Sequence, residues 1–179
     1  TGITPKSCDF KQAFVQSHLP PSENYVLRPP SHCPISTPNT YWVLKRTLYG
    51  LQRSPRHWFL KCTKILQQIG LQPCPNAPCI FHGKILPNQP PIYIGLYVDD
   101  CIYFSESKEV EQEFEQRLKN TIEDKISFLG PVTHFLGMKF DCICDKSNNL
   151  SIYMSQTAFI DTLTTIANLN DSNTVKTPY

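Results

Sequence analysis

The stretch IYIGLYVDDCIYF, residues 92–104, sets two adjacent carboxylates inside an otherwise apolar run. Burying an ionised carboxylate is costly unless it is paired or bound to a metal. The run therefore divides into two strands, Ile92–Val98 and Cys101–Phe104, joined by a turn at Val98–Asp100. At a hairpin tip Asp99 and Asp100 both escape the core. A third carboxylate from a neighbouring strand end would complete a hard oxygen cluster suited to Mg²⁺. Asp9 is the expected third member, because it ends an apolar-capable segment and is one of only two acids in the first 98 residues. By itself a Val-Asp-Asp turn is an ordinary turn sequence; joined to Asp9 and to the charge pattern, the metal reading is favoured.

That charge pattern is segregated. Residues 1–98 carry ten Lys/Arg against Asp9 and Glu23, giving +8, and residues 99–179 carry seven against thirteen acids, giving −6. From Asn24 to Val98 there is no Asp or Glu at all. An acid-free basic segment suits a polyanionic partner, although a solvated basic face has the same composition. The length of 179 residues fits one domain, or one with a fragment of a second. No run approaches the roughly 18 apolar residues of a membrane span, so no membrane partner is expected. There is no initial Met and no signal-like segment, which suggests a piece of a longer chain. The eight cysteines lack zinc or disulfide-framework spacings and read as reduced thiols. The five histidines show no metal-ligand spacing, and His57 reads as a surface residue.

Along the chain, Cys8–Gln16 reads as a strand end running into a turn or short helix. The proline-rich stretch from Leu19 to Pro38 reads as a looped excursion with at most short strands, and Tyr41–Leu44 as a strand. A helix follows, with Ser54 expected as N-cap, Pro55 at the first helical position and Gly70 at its close. Its apolar face comprises Trp58, Phe59, Cys62, Ile65, Leu66 and Ile69. LQPCPNAP, residues 71–78, reads as a loop, and Cys79–His82 as a strand. A second helix starts near Ser107, with Glu109, Glu111, Glu113 and Glu115 expected mostly outward. HFLGMKFDCIC and LSIYMS form a hairpin around Asp145–Asn149, and a last helix starts near Ser155 before a polar tail ending in Pro178. Helices mixed with antiparallel hairpins, without a βαβ rhythm, indicate an α+β fold.

Four segments, DFKQAF (9–14), LYGLQRSPRHW (48–58), YVDD (97–100) and FLGMKF (135–140), stand in the order found in reverse transcriptases. With the closing SQTAFIDTL and VKTP, the chain resembles the copia type of long-terminal-repeat retrotransposon over nearly its whole length. The resemblance implies a polymerase palm with an antiparallel sheet backed by helices, partial fingers and the start of a thumb. Its implied domains are 1–14 palm, 15–53 partial fingers, 54–133 palm with the catalytic hairpin, 134–154 a hairpin like the primer grip, and 155–179 the start of the thumb. Asp9, Asp99 and Asp100 are implied as catalytic residues and ligands of two Mg²⁺ ions, with Mn²⁺ as an alternative and the backbone carbonyl of Phe10 as a further ligand.

The same resemblance implies that Phe14, Tyr49, Gly50 and Gln52 bind the incoming nucleotide. Phe14 would be the bulky gate that excludes a 2′-hydroxyl, and Gly50 would let backbone approach a base pair closely. Arg53, Ser54, Pro55, Tyr97 and the bend Leu136, Gly137, Met138 are implied contacts of template and primer. Implied partners are an RNA or DNA template with primer, deoxynucleoside triphosphates, and the rest of a polyprotein: upstream fingers and integrase, downstream thumb and RNase H. The implied location is cytoplasmic, including virus-like particles, with nuclear access of the product. Departures matter too. The basic triphosphate-binding residues of the fingers are absent, the thumb barely starts, and Lys125 is no secure counterpart of a lysine proposed in the family as proton donor. A non-catalytic nucleic-acid-binding remnant, or an interaction role for a domesticated fragment, stays open beside the polymerase reading.

Overall fold

The computed structural model describes residues 4–34, 39–122, 125–147, 149–169 and 172; the expected polar tail to Pro178 lies almost entirely outside them. The chain divides into two compact units, residues 5–130 and a second formed by 1–4 with 131–179. Both are mixed α/β and built on antiparallel sheets, as expected. No helix among the described residues is long and apolar enough to cross a membrane.

The larger unit is a six-stranded sheet with two helices. In chain order its strands are β1 (Lys6–Phe10), β4 (Gln72–Cys74), β5 (Ala77–Gly83), β6 (Ile92–Tyr97), β7 (Asp100–Ser105) and β8 (Ile126–Pro131), arranged β4-β5-β6-β7-β1-β8. A two-stranded ribbon, β2 (Val26–Leu27) with β3 (Trp42–Val43), interrupts the proline-rich excursion. The expected hairpin is β6–β7, with Tyr97 opposite Asp100 and a two-residue turn at Val98–Asp99. Alternation along β6 buries Ile92, Ile94 and Leu96 and exposes Tyr93 and Tyr97, as period-2 patterning demands.

Helix α1 (Ser54–Ile69) and helix α2 (Lys108–Thr121) bury their apolar faces in the core formed with that sheet. Trp58, Cys62, Leu66, Phe114 and Leu118 are almost wholly inaccessible, while Phe59 is partly buried. Gly70 closes α1 in the left-handed conformation, φ 108°, as expected of a C-terminal glycine. The start of α1 differs from expectation. The capping position is Arg53, no side chain caps the helix, and Ser54 is already helical. A missing cap costs about 1 kcal/mol; here the Ser54 hydroxyl is engaged by the Leu48 carbonyl and is not available to cap. Helix α2 begins where expected, just after Ser107, whose hydroxyl caps it by accepting from the Val110 N–H at 3.4 Å.

Two other expectations fail, and one strand appears where none was expected. Residues 71–78 are not all loop, since β4 forms there as an edge strand. Pro73 is tolerated because an edge leaves one row of backbone groups unpaired. Strand β8 carries no period-2 signature and was not expected. Glu111 does not face outward: it is 4% exposed, held by Lys6 Nζ at 3.0 Å and by the Ser105 N–H at 3.3 Å. Lys6 also reaches Glu115 at 3.0 Å, which accepts from the Tyr103 hydroxyl at 2.7 Å. A charge pair seals the α2–sheet layer.

The second unit contains β9 (His134–Phe135), β10 (Met138–Cys144), β11 (Leu150–Ser155) and helix α3 (Thr157–Ile166). Its sheet runs β11-β10-β9, and Cys144 opposite Leu150 confirms the hairpin expected around Asp145–Asn149. The Asp145 carboxylate accepts from the backbone N–H groups of Ser147 and Asn149, which fixes that turn. The apolar residues of α3, Phe159, Ile160, Leu163 and Ile166, are exposed. All eight cysteines are free thiols.

Candidate active site

The tip of β6–β7 is held from two sides. Val98 adopts φ 54°, a strained value for a β-branched residue but the sign that a two-residue hairpin turn demands. The Trp58 indole N–H donates to the Val98 carbonyl at 2.5 Å, and the Phe10 N–H donates to the Asp99 carbonyl at 2.9 Å. The Phe10 ring in turn meets Trp58 edge-on, centroids 5.2 Å apart. Core residues of β1 and α1 thus fix the backbone of the turn. Asp9 pairs directly opposite Asp100 across β1 and β7, so three carboxylates from two adjoining segments converge on one tip.

Their electrostatics report the crowding. Partial burial, and then the charges of Asp99 and Asp100, push the Asp9 carboxyl above its ordinary value, with Lys11 pulling weakly the other way. Burial and Asp99 raise Asp100 as well. Like charges brought together disfavour one another's ionisation, and a hard divalent cation is the natural compensation for an all-oxygen donor set. In donor chemistry the three residues fit such an ion. Among the described residues, no group of three or more His, Cys, Asp or Glu side chains closes into a metal shell. Any ion here would therefore need side-chain adjustment, or ligands from substrate and water, as Mg²⁺ commonly takes.

Beside the tip, Phe14 lies just past β1 in a short 3₁₀ turn (Phe14–Gln16), partly buried, its ring 4.8 Å from that of Tyr49. Tyr49 is 58% exposed. Gly50 takes φ +90°, and a Cβ there would meet nothing within 4 Å. Its glycine is required by conformation, and the space around it is open. Gln52, Arg53 and Pro55 are exposed at the start of α1, but Ser54 is buried. The Ser54 hydroxyl donates to the Leu48 carbonyl at 2.6 Å, so it folds the LYGLQR bend instead of facing a ligand. Tyr97 is exposed at the end of β6. Leu136 and Gly137, with φ 51° and 74°, form the bend of the second unit with Met138.

Sequence reasoning missed three supports. Thr47, fully buried, donates its hydroxyl to the Phe14 carbonyl, and no local pattern announces it. Trp58 was read as core only, and its hydrogen bond to the turn depends on tertiary placement. Glu23 pairs with Arg53 and with His57, each at 3.0 Å; its rarity as an acid in a basic segment was the available signal. His57 is accordingly not a free surface residue, its side chain being 16% exposed.

Carboxylates at an antiparallel hairpin tip, near a basic helix start, suit chemistry on polyanions. The chain belongs to the reverse transcriptase (RNA-dependent DNA polymerase) family, whose model matches residues 4–179. It is similar to the "Retrovirus-related Pol polyprotein from transposon TNT 1-94" of Nicotiana tabacum, 26% identical over 170 residues, covering 95% of this chain and 12% of that protein. It is likewise 26% identical to the "Putative transposon Ty5-1 protein YCL074W" of Saccharomyces cerevisiae, over 95% of this chain and 52% of that one. The "Transposon Ty1-DR4 Gag-Pol polyprotein" of the same yeast is 27% identical over 123 residues, 68% of this chain and 7% of that protein. The chain thus spans about half or less of the length of these relatives. No solved structure matches at a significant level.

Proposed function

We propose that this chain is the palm region, with partial fingers and the start of a thumb, of a copia-type retrotransposon polymerase. It would add deoxynucleotides to a primer 3′-hydroxyl on an RNA or DNA template. The observation that carries the reading is the convergence of Asp9, Asp99 and Asp100 at the braced turn, in a chain of this family. Asp9 and Asp99, with Asp100 beside them and the Phe10 carbonyl, would hold two Mg²⁺ ions. When bound, these would activate the primer hydroxyl and neutralise charge on the pyrophosphate leaving group.

The chain's own residues do the positioning. Trp58 and Phe10 keep the tip in place, and Thr47 anchors the backbone of Phe14. The ring of Phe14, resting on Tyr49, presents a fixed edge to the sugar of a nucleotide. Arg53 and the exposed cations Lys45, Arg46 and Arg56 meet template phosphate, and Tyr97 meets the primer terminus. The bend at Leu136–Met138 would support the primer strand. In this reading the remaining polyprotein supplies upstream fingers and downstream thumb and RNase H, and the particle is cytoplasmic.

The test is primer extension by this chain and by a chain lengthened upstream, each against its Asp99→Asn variant. Extension by the longer chain that Asp99→Asn abolishes is the expected result. Duplex binding without any extension by either chain would instead mark a nucleic-acid-binding remnant.

A further inference from the structure

Glu23 is the only acid besides Asp9 among the first 98 residues, and both of its carboxylate oxygens are committed. Oε1 accepts from Arg53 Nη1 at 3.0 Å, and Oε2 lies 3.0 Å from His57 Nε2. The three side chains differ in exposure: 15% for Glu23, 16% for His57 and 63% for Arg53. His57 stands one turn along α1 from Arg53, and its N–H donates to the Arg53 carbonyl at 3.1 Å. The carboxylate is therefore fixed on its sheltered side by the helix and reaches outward with its other oxygen. There it holds a single corner of the guanidinium. Arg carries five N–H donors in a rigid fork, and this contact occupies one nitrogen, leaving most of the fork to solvent. The backbone of Glu23 is itself tied down, its N–H donating to the Pro20 carbonyl at 2.9 Å.

We propose that Glu23 is the positioning residue for Arg53, holding the guanidinium at the start of α1 so that its remaining donors face a template phosphate. This rests on the reading of Arg53 as a template contact given above. An arginine ordered beforehand loses less side-chain freedom on binding. Charge alone argues the opposite sign, because removing a carboxylate from a polyanion-binding surface should tighten binding. The two accounts therefore predict opposite effects of one substitution.

The experiment measures the affinity of the 179-residue chain for a primer–template duplex by fluorescence anisotropy at fixed salt. It uses the parent, Glu23→Gln, Arg53→Met and the double variant, with thermal unfolding confirming that each is folded. Glu23→Gln should weaken binding by about two- to five-fold, the scale of an exposed ion pair, and should have no further effect once Arg53 is Met. Binding by Glu23→Gln as tight as the parent's or tighter, with Arg53→Met weakened, overturns the proposal alone. An equal loss from Glu23→Gln with and without Arg53 overturns it too, since Glu23 would then act only on the surrounding loop. Arg53→Met binding like the parent overturns the template reading of Arg53, and the proposal with it.

Discussion

At the level of single residues, the acidic tip sets function against stability. Asp9 and Asp100 have folded-state values raised above the 3.8 of the free group. Their contribution is fully present below that value and is lost as pH rises through the raised folded values. In the metal-free chain, thermal stability should therefore fall relative to Asp9→Asn as pH climbs from about 4 toward neutrality. At pH 7 excess Mg²⁺ should reverse the loss. At a hundred times Kd, binding contributes about 2.7 kcal/mol, or roughly 5–10 °C in Tm for a chain of this size. The Asp9→Asn/Asp99→Asn pair should lose that gain, and an equal Mg²⁺ shift in parent and variant would rule out the site. Phe14 makes a separate prediction. Phe14→Val, in a polymerase-active chain, should lower the ratio of deoxynucleotide to ribonucleotide efficiency by more than the roughly 10- to 200-fold of a single methylene mismatch. The overlap is with a ring whose backbone Thr47 anchors and which packs at a tilt against Tyr49. An unchanged ratio would make Phe14 a core aromatic and nothing more.

Among the secondary-structure elements, the pair linking β1 to α2 is the feature least visible from local sequence. Lys6 and Glu111 lie more than a hundred residues apart, and only the fold decides that, of the four glutamates, Glu111 is the one buried outright while Glu115 leans in beside it. Lys6→Met strands a carboxylate that is 6% exposed, and should destabilise the chain by roughly 2–4 kcal/mol, near the lower end for breaking a buried pair. Adding Glu111→Gln should recover more than half of the loss in urea unfolding. Failure to recover would mean that Lys6 acts through Glu115 instead. The same contrast explains what could be read in advance. The β6–β7 hairpin was legible because alternation survives up to a charged break, and α1 because an apolar stripe ends on Gly70. Strand β4 was hidden by Pro73, β8 by the lack of alternation in ISFLGP, and the absent cap on α1 by the tertiary hydrogen bond that draws the Ser54 hydroxyl inward. Asp9, Asp99 and Asp100 could be grouped from sequence because acids are scarce before residue 99. The bracing of their turn by Trp58 could not, since a buried tryptophan signals only core.

Over the whole molecule, the acid-free segment makes an electrostatic prediction independent of catalysis. Neutralising Lys45, Arg46, Arg53 and Arg56 together should weaken duplex binding and flatten its salt dependence, each lost phosphate contact lowering the slope by about 1. Titrations of duplex at several salt concentrations check this, and an unchanged slope would identify the segment as a solvated face. The margins of the six-stranded sheet carry a different consequence. Its outer strands are β4, which contains Pro73 and shifts register beside it, and β8, which ends on Pro131. A proline has no N–H to offer an incoming strand, and an irregular edge twists away from one. The two borders thus act like the poisoned faces of a crystal, where growth finds no flat step to continue. Copies of this chain crowded together can touch without that sheet passing from one to the next.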